Sequence, residues 1–130
     1  RFRNVTGVQT CALPISAHDP AGGPISGDDL RARIRAGSPP FIVDVRTRPE
    51  YARGHVPGAV HVPFWNVARL MKIPAGAGDE IVVYCGHGPR ARMARAALTR
   101  GGFSRVRLLR GHWAGWTRDE RWHVRQGGRR

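Results

Sequence analysis

The sequence predicts an α/β domain in which a parallel sheet carries helices on both faces. Two short runs, residues 41–45 and 81–84, are almost wholly apolar at successive positions, which is typical of strands covered on both sides. A helix-start signal follows each run, so strands and helices alternate along the chain. A chain of 130 residues can bury one core of ordinary size, and we therefore expect a single domain.

The first helix is predicted from the residues at its two ends. Ser26 stands three positions before Asp29, which is the spacing of a capping box, and Leu30 and Ile34 then share one helical face. Gly37 and the two prolines after it end the helix. The apolar run at 41–45 follows directly and predicts the first strand.

A second capping box follows that strand. Thr47 and Glu50 have the required spacing, and Pro49 suits a first helical turn, so a short helix is expected at residues 48–53. The remaining alternation predicts a short strand at 59–62, a helix with Phe64, Val67, Ala68 and Met71 on one face, a strand at 81–84, a helix from about 89 to 100, a strand at 106–109 and a short helix that holds Trp113 and Trp116.

The charge of the chain has two interpretations. There are 22 Lys and Arg residues against 9 Asp and Glu, and the formal net charge is +13. Nucleic-acid binding is one interpretation of such a balance. We favour GC-rich coding bias, because the arginines are scattered and Arg, Ala, Gly and Pro are all abundant. We therefore expect no nucleic-acid partner.

Cysteine content and hydropathy exclude several further classes of protein. Two cysteines are too few for a disulfide scaffold or a four-cysteine zinc site. No apolar run approaches the roughly 20 residues that a membrane helix needs. We accordingly expect a cytoplasmic protein that makes no membrane contact.

The first sixteen residues have a different character from the rest. Residues 5–15 read VTGVQTCALPI, which resembles the translation of a common sequencing-library adapter. We interpret residues 1–16 as a non-native segment and exclude them, with Cys11, from fold reasoning. Residues 17–25 are rich in Pro, Gly and Ala and are interpreted as a linker, residues 26–119 as the domain, and residues 120–130 as a polar, basic tail.

Cys85 lies where a buried strand ends and a helix begins. Ligands bind at this edge of open parallel sheets. Gly86 and Gly88 permit positive φ, so successive N–H groups can point into one concavity, and the helix N-terminus and Arg90 add positive charge. Such a concavity stabilises a thiolate and holds an anion against the sulfur. Free cysteines are commonly small core residues, but this setting favours a nucleophile.

Three groups of residues resemble the rhodanese (sulfurtransferase) domain family. The first is IVDVR at 42–46 with EY at 50–51 and GHVPGA at 54–59, the second is VYCGHGPR at 83–90, and the third is GGF at 101–103, LRG at 109–111 and Trp116. The resemblance implies a parallel five-stranded sheet flanked by helices. One departure is Gly111-His112, where the family usually has two glycines, and a histidine there implies local backbone strain.

The resemblance also implies a function, that of a thiosulfate sulfurtransferase-like enzyme. Cys85 would accept sulfane sulfur from a small anionic donor such as thiosulfate, as a persulfide, and pass it to cyanide, a thiol or an acceptor protein. The N–H groups of Gly86, His87 and Gly88 and the side chain of Arg90 would hold the donor. No cofactor or metal is expected, because thiol exchange needs none.

Two alternative functions stay open at this point. Related phosphatases and arsenate reductases have a seven-residue loop, whereas Cys85 to Arg90 spans six residues, which favours sulfur transfer. The other alternative is a non-catalytic module that delivers or senses sulfur or binds nucleic acid, and the presence of both Cys85 and Arg90 counts against it.

Several other side chains have structural interpretations that we prefer. Asp44 and Arg46 are expected to form a hydrogen-bonded pair rather than a charged wall of the site, and His55 to make a structural hydrogen bond in its turn. Trp113 and Trp116 are expected to close the core rather than to stack bases. Four residues offer metal-ligand atoms without the spacing of a known site: His55, His61, Cys85 and His87.

Overall fold

A parallel sheet of four strands organises residues 23–118, the part of the chain that the computed structural model describes. The strands are β1 (Phe41–Asp44), β2 (Val60–His61), β3 (Glu80–Tyr84) and β4 (Arg105–Leu108). They lie in the order β2-β1-β3-β4, and all three pairings are parallel. The carboxyl ends of all four strands therefore meet at one edge of the sheet.

Residues 23–118 contain five helices, and their ends follow the predicted signals. They are α1 (Gly27–Arg35), α2 (Arg48–Arg53), α3 (Val67–Leu70), α4 (Pro89–Arg100) and α5 (His112–Trp116). Ser26 caps α1 by accepting a hydrogen bond from the Asp29 N–H at 3.0 Å. The capping box of Thr47 and Glu50 is present at the start of α2, and Pro89 occupies the first turn of α4. The capping box at Thr47 and the start of α4 at Pro89 are confirmed, whereas at Ser26 the structure shows only the serine half of the predicted capping box.

The family resemblance implied a five-stranded sheet, and this expectation is wrong, because the described residues form four strands. At the position of a fifth strand, Ile25 makes a single parallel bridge to Leu109 beside β4. Pro24 before it has no N–H to donate, and Ser26 after it already caps α1. Only one residue is therefore free to pair. Ile25, at the end of the predicted linker, is nevertheless buried.

The core consists of two apolar layers, one on each face of the sheet. Alternate strand residues point to opposite faces, so Val83 joins one layer and Val82 the other. The first layer packs against α3 and α4 and includes Cys85. The second packs against α1 and α5. The prediction that helices cover both faces of a parallel sheet is confirmed.

The predicted apolar face between Phe64 and Met71 is wrong in detail. Val67 is 48% exposed and Ala68 is exposed, whereas Leu70, which the prediction left out, is fully buried. The reason is that α3 is one turn of four residues. A single turn directs few side chains toward the sheet, and in α3 the buried side chain is that of Leu70.

Some sequence predictions lie outside the described residues. These are the non-native segment at 1–16, most of the linker at 17–25 and the tail at 120–130. Within residues 23–118, no helix combines the length and the hydropathy that crossing a membrane would require.

Candidate active site

Cys85 lies immediately after β3 and four residues before α4, at the carboxyl edge of the sheet. The backbone turns back within this interval, and the Gly88 N–H donates a hydrogen bond to the Cys85 Sγ at 3.0 Å. The N-terminus of α4, a helix of twelve residues, follows directly. An amide donor and a helix N-terminus next to the sulfur both favour a negative charge there. We call residues 85–88 the cysteine loop.

Gly88 is required by the shape of the cysteine loop. Its φ of +134° is a conformation that residues with a side chain rarely adopt. A Cβ at this position would also stand 3.0 Å from Arg92 Nη1 and 3.3 Å from His112 Nε2. The prediction of positive φ is thus confirmed for Gly88, but Gly86 is not among the glycines with positive φ. The positive φ of Gly88 alone is enough to direct its N–H toward the Cys85 sulfur.

Arg90, in the first turn of α4, reaches across to Glu50 on α2. Its guanidinium donates to the Glu50 carboxylate at 2.9 and 3.4 Å, and both side chains are about one-third exposed. The hydrogen bond from Arg90 lowers the pKa of Glu50 to about 2, and the same bond raises the pKa of Arg90. The pair is therefore fully charged at neutral pH. Sequence reasoning placed Glu50 in the capping box and in a family motif, but it did not predict the ion pair with Arg90.

Arg90 also borders the cysteine loop. A Cβ on Gly86 would stand 3.2 Å from Arg90 Nη2, and the charge of Cys85 contributes to the raised pKa of Arg90. The Cys85 side chain itself has no exposed surface. A donor can therefore contact the sulfur only after side chains or the loop around it have moved.

Residues at the start of α5 form hydrogen bonds with the backbone of the cysteine loop. The Trp113 N–H donates to the Cys85 carbonyl at 2.9 Å, and the Ala114 N–H donates to the Gly86 carbonyl at 3.2 Å. His112 completes this support, because the Cys85 N–H donates to its Nδ1 at 3.4 Å. The sequence predicted strain at His112, and its φ is +54°. It did not predict that the imidazole contacts the loop.

Asp44 and Arg46 form the buried structural pair that the sequence predicted. Asp44 has no exposed surface and accepts hydrogen bonds from the Arg46 side chain at 2.7–3.0 Å and from the Tyr84 hydroxyl at 2.7 Å. The Arg46 guanidinium lies over the Trp113 ring, 4.7 Å from its centre. Although burial opposes it, the hydrogen bonds that Arg46 donates to Asp44 raise the pKa of Arg46. This network fixes the ends of β1 and β3, and it does not touch the sulfur.

The other candidate side chains are also placed by the structure. His55 Nδ1 lies 2.9 Å from the Tyr51 carbonyl, which confirms its structural hydrogen bond. Trp116 is buried and Trp113 half-buried, as core residues. The His87 side chain is exposed on the cysteine loop. Among residues 23–118 there is no group of three His, Cys, Asp or Glu side chains that could hold a metal ion.

Comparison with known proteins supplies the family. The model of the rhodanese-like domain matches residues 26–119. The chain belongs to the rhodanese-like domain family. The predicted family resemblance is thereby confirmed over nearly all of the residues that the structure describes.

Two curated proteins similar to this chain are named as sulfurtransferases. A sulfurtransferase from Allochromatium vinosum is 34% identical over 95 residues, which cover 72% of this chain and 87% of that protein. The thiosulfate sulfurtransferase GlpE of Pseudomonas fluorescens is 39% identical over 75 residues, covering 58% of this chain and 68% of the relative. These relatives support sulfur transfer as the general activity of this rhodanese-like domain.

Solved structures support the same rhodanese-like fold. The crystal structure of the Alr3790 protein from Anabaena is similar with a TM-score of 0.66 and 31% identity, over 72% of this chain and 85% of that one. The human single-domain sulfurtransferase TSTD1 also has a TM-score of 0.66, over 74% of this chain and 96% of that one. At 24% identity, the human protein supports the fold alone.

Proposed function

We propose that this protein is a sulfurtransferase that carries sulfane sulfur as a persulfide on Cys85. The observation that carries the proposal is the hydrogen bond of 3.0 Å from the Gly88 N–H to the Cys85 Sγ, made directly before the N-terminus of α4. Such a setting stabilises a thiolate, which is the nucleophilic form of cysteine. The family and its sulfurtransferase members support the same activity.

The first half-reaction loads the sulfur. The Cys85 thiolate attacks the outer sulfur of thiosulfate, and a new S–S bond forms on the protein. The S–S bond of thiosulfate breaks, and its electron pair leaves with sulfite. Charge balances without an external oxidant or reductant, since one sulfane sulfur simply changes partners.

The second half-reaction unloads the sulfur. A nucleophile such as cyanide, a thiol or the thiol of an acceptor protein attacks the outer sulfur of the persulfide. The protein S–S bond breaks, its electron pair returns to the Cys85 sulfur, and the product leaves as thiocyanate or as a new persulfide. In each half-reaction one S–S bond breaks and the sulfane sulfur moves to a new nucleophile, and we assign no metal or cofactor to the cycle.

Four groups are proposed to hold the anionic donor: the N–H groups of Gly86, His87 and Gly88 and the Arg90 side chain. The Gly88 N–H already donates a hydrogen bond to the Cys85 sulfur. The Arg90 guanidinium borders Gly86, and it also forms an ion pair with the Glu50 carboxylate. Residues 26–119 are proposed as the functional unit. The loop of six residues from Cys85 to Arg90 favours sulfur transfer over phosphate chemistry.

Mass spectrometry tests the proposed function directly. The protein is incubated with thiosulfate and analysed without reductant, and we expect its mass to increase by one sulfur atom. Adding cyanide should restore the original mass and release an equal amount of thiocyanate. A protein that never gains this mass with thiosulfate or with other sulfane donors would contradict the persulfide mechanism.

Replacing Arg90 tests how the anionic donor is held. Arg90→Ala removes a charge-assisted contact worth about 1.5–3 kcal/mol, so the KM for thiosulfate should rise about 10- to 150-fold. The KM for an uncharged organic trisulfide should change little. Steady-state kinetics with both donors gives the comparison.

Glu50→Gln is the matched control for Arg90→Ala. Glutamine keeps the capping box at the start of α2 but removes the negative charge that Arg90 contacts. In Glu50→Gln, thiosulfate no longer competes with the Glu50 carboxylate for the Arg90 guanidinium, so the KM for thiosulfate should fall. Equal losses for both donors in Arg90→Ala would show that Arg90 acts on the fold or on the thiol and not on the donor.

A further inference from the structure

His112 occupies a position in the backbone that suits glycine better. It follows Gly111 at the first residue of α5, its φ is +54°, and it is the non-glycine residue with positive φ within residues 23–118. A side chain in this conformation costs free energy, and such strain persists only where the surroundings hold it. The imidazole is also buried, with 8% of the residue exposed. Its contacts should therefore account for the strain.

Those contacts are with both ends of the cysteine loop. At one end, the Cys85 N–H donates to the His112 Nδ1 at 3.4 Å. At the other end, Nε2 lies 3.3 Å from the point where a Cβ on Gly88 would stand, so the ring fills the space beside Gly88. The Gly88 N–H is the donor to the Cys85 sulfur. One side chain thus braces the two residues whose separation sets that hydrogen bond.

The imidazole is neutral in this arrangement. Because Nδ1 accepts a hydrogen bond, the ring proton is assigned to Nε2. Burial lowers the pKa of His112, and the charges of Arg92 on α4 and of His87 in the cysteine loop lower it further. A neutral ring keeps its acceptor atom for the Cys85 N–H.

We propose that His112 is a positioning residue that holds the cysteine loop in the shape in which the Gly88 N–H contacts the Cys85 sulfur. This inference rests on the proposed sulfur transfer at Cys85. His112 does not touch the donor in this role. It acts through the backbone of Cys85 and through the space beside Gly88.

Two substitutions separate positioning from simple folding. His112→Gly relieves the strained backbone but removes both contacts. His112→Asn tolerates the left-handed conformation, and its side-chain oxygen offers an acceptor to the Cys85 N–H. Both changes are made in a Cys11→Ser background, so that Cys85 is the sole thiol.

The rate of iodoacetamide alkylation is measured across a range of pH, and thiosulfate kinetics and melting temperature are measured beside it. In His112→Gly, loss of one hydrogen bond should lower kcat about five- to tenfold, with KM little changed. The midpoint of its alkylation profile should move to higher pH. His112→Asn should stay close to the wild type in both readouts.

Two results would overturn this assignment. One is a His112→Gly variant whose alkylation midpoint and kcat equal those of the wild type. The other is an equal decrease of kcat in His112→Gly and His112→Asn that parallels the decrease of their melting temperatures. If His112→Gly does not fold, His112→Ala takes its place, because it also lacks the acceptor. If the wild type transfers no sulfur at all, the proposed function fails, but the alkylation midpoints still decide whether His112 positions the thiol.

Discussion

The Cys85→Ser variant is expected to lose sulfur transfer completely while its fold is retained. A hydroxyl has nearly the size of a thiol and can accept the hydrogen bond from the Gly88 N–H that the sulfur accepts now. Stability should therefore change by only about 1 kcal/mol. Oxygen cannot form a persulfide, so neither the mass gain with thiosulfate nor thiocyanate formation should remain. Melting curves, intact mass and the cyanide assay measure the three quantities.

Cys11→Ser is the matched control for this experiment, because Cys11 is the other cysteine of the chain. It should transfer sulfur at the rate of the wild type. Peptide mapping after loading should place the added sulfur on Cys85. Sulfur found on Cys11, or a Cys85→Ser protein that still gains the mass, would contradict the assignment of the nucleophile.

The largest loss of stability is expected for Asp44→Ala. Its carboxylate has no exposed surface and accepts hydrogen bonds from the backbone and side chain of Arg46 and from the Tyr84 hydroxyl. Removing one partner of a buried ion pair costs about 3–5 kcal/mol, since the other charge stays buried without it. For a domain of this size the melting temperature should fall by about 12 °C or more. Denaturant unfolding of both proteins gives the free-energy difference.

Asp28→Ala is the control for Asp44→Ala. Asp28 also pairs with an arginine, Arg31, but 77% of its side chain is exposed. Exposed pairs contribute about 0–1 kcal/mol, so the loss should be small. If Asp44→Ala does not fold, Asp44→Asn should show an intermediate loss, because the amide oxygen still accepts. A loss in Asp44→Ala no greater than in Asp28→Ala would mean that the network contributes little.

Features that depend on neighbours in sequence were predictable. The caps at Ser26 and Thr47 involve residues three positions apart, and the pair of Asp44 and Arg46 involves residues two apart. The position of Cys85 followed in the same way, because an apolar strand and a proline-headed helix border its loop. Local hydrogen-bonding rules were sufficient for each of these features.

Features that join distant residues were not predictable. Glu50 and Arg90 are 40 residues apart, and nothing in the sequence selects Arg90 as the partner among 22 basic residues. Cys85 and His112 are 27 residues apart, and the histidine was noticed only as a departure from two glycines. The fifth strand was expected from the family, but Pro24 and the cap at Ser26 leave Ile25 alone to pair.

The pairing of Ile25 beside β4 has a consequence for the kinetics of folding. The Ile25 N–H donates to the Leu108 carbonyl at 2.9 Å, and Arg107 donates to the Gly23 carbonyl, 84 residues away in sequence. Closing a chain loop of this length costs about 4 kcal/mol of entropy, a cost that one bridging residue repays poorly. The central strands pair over four residues at each junction and can form first. The edge at Ile25 is therefore expected to close last and to open first.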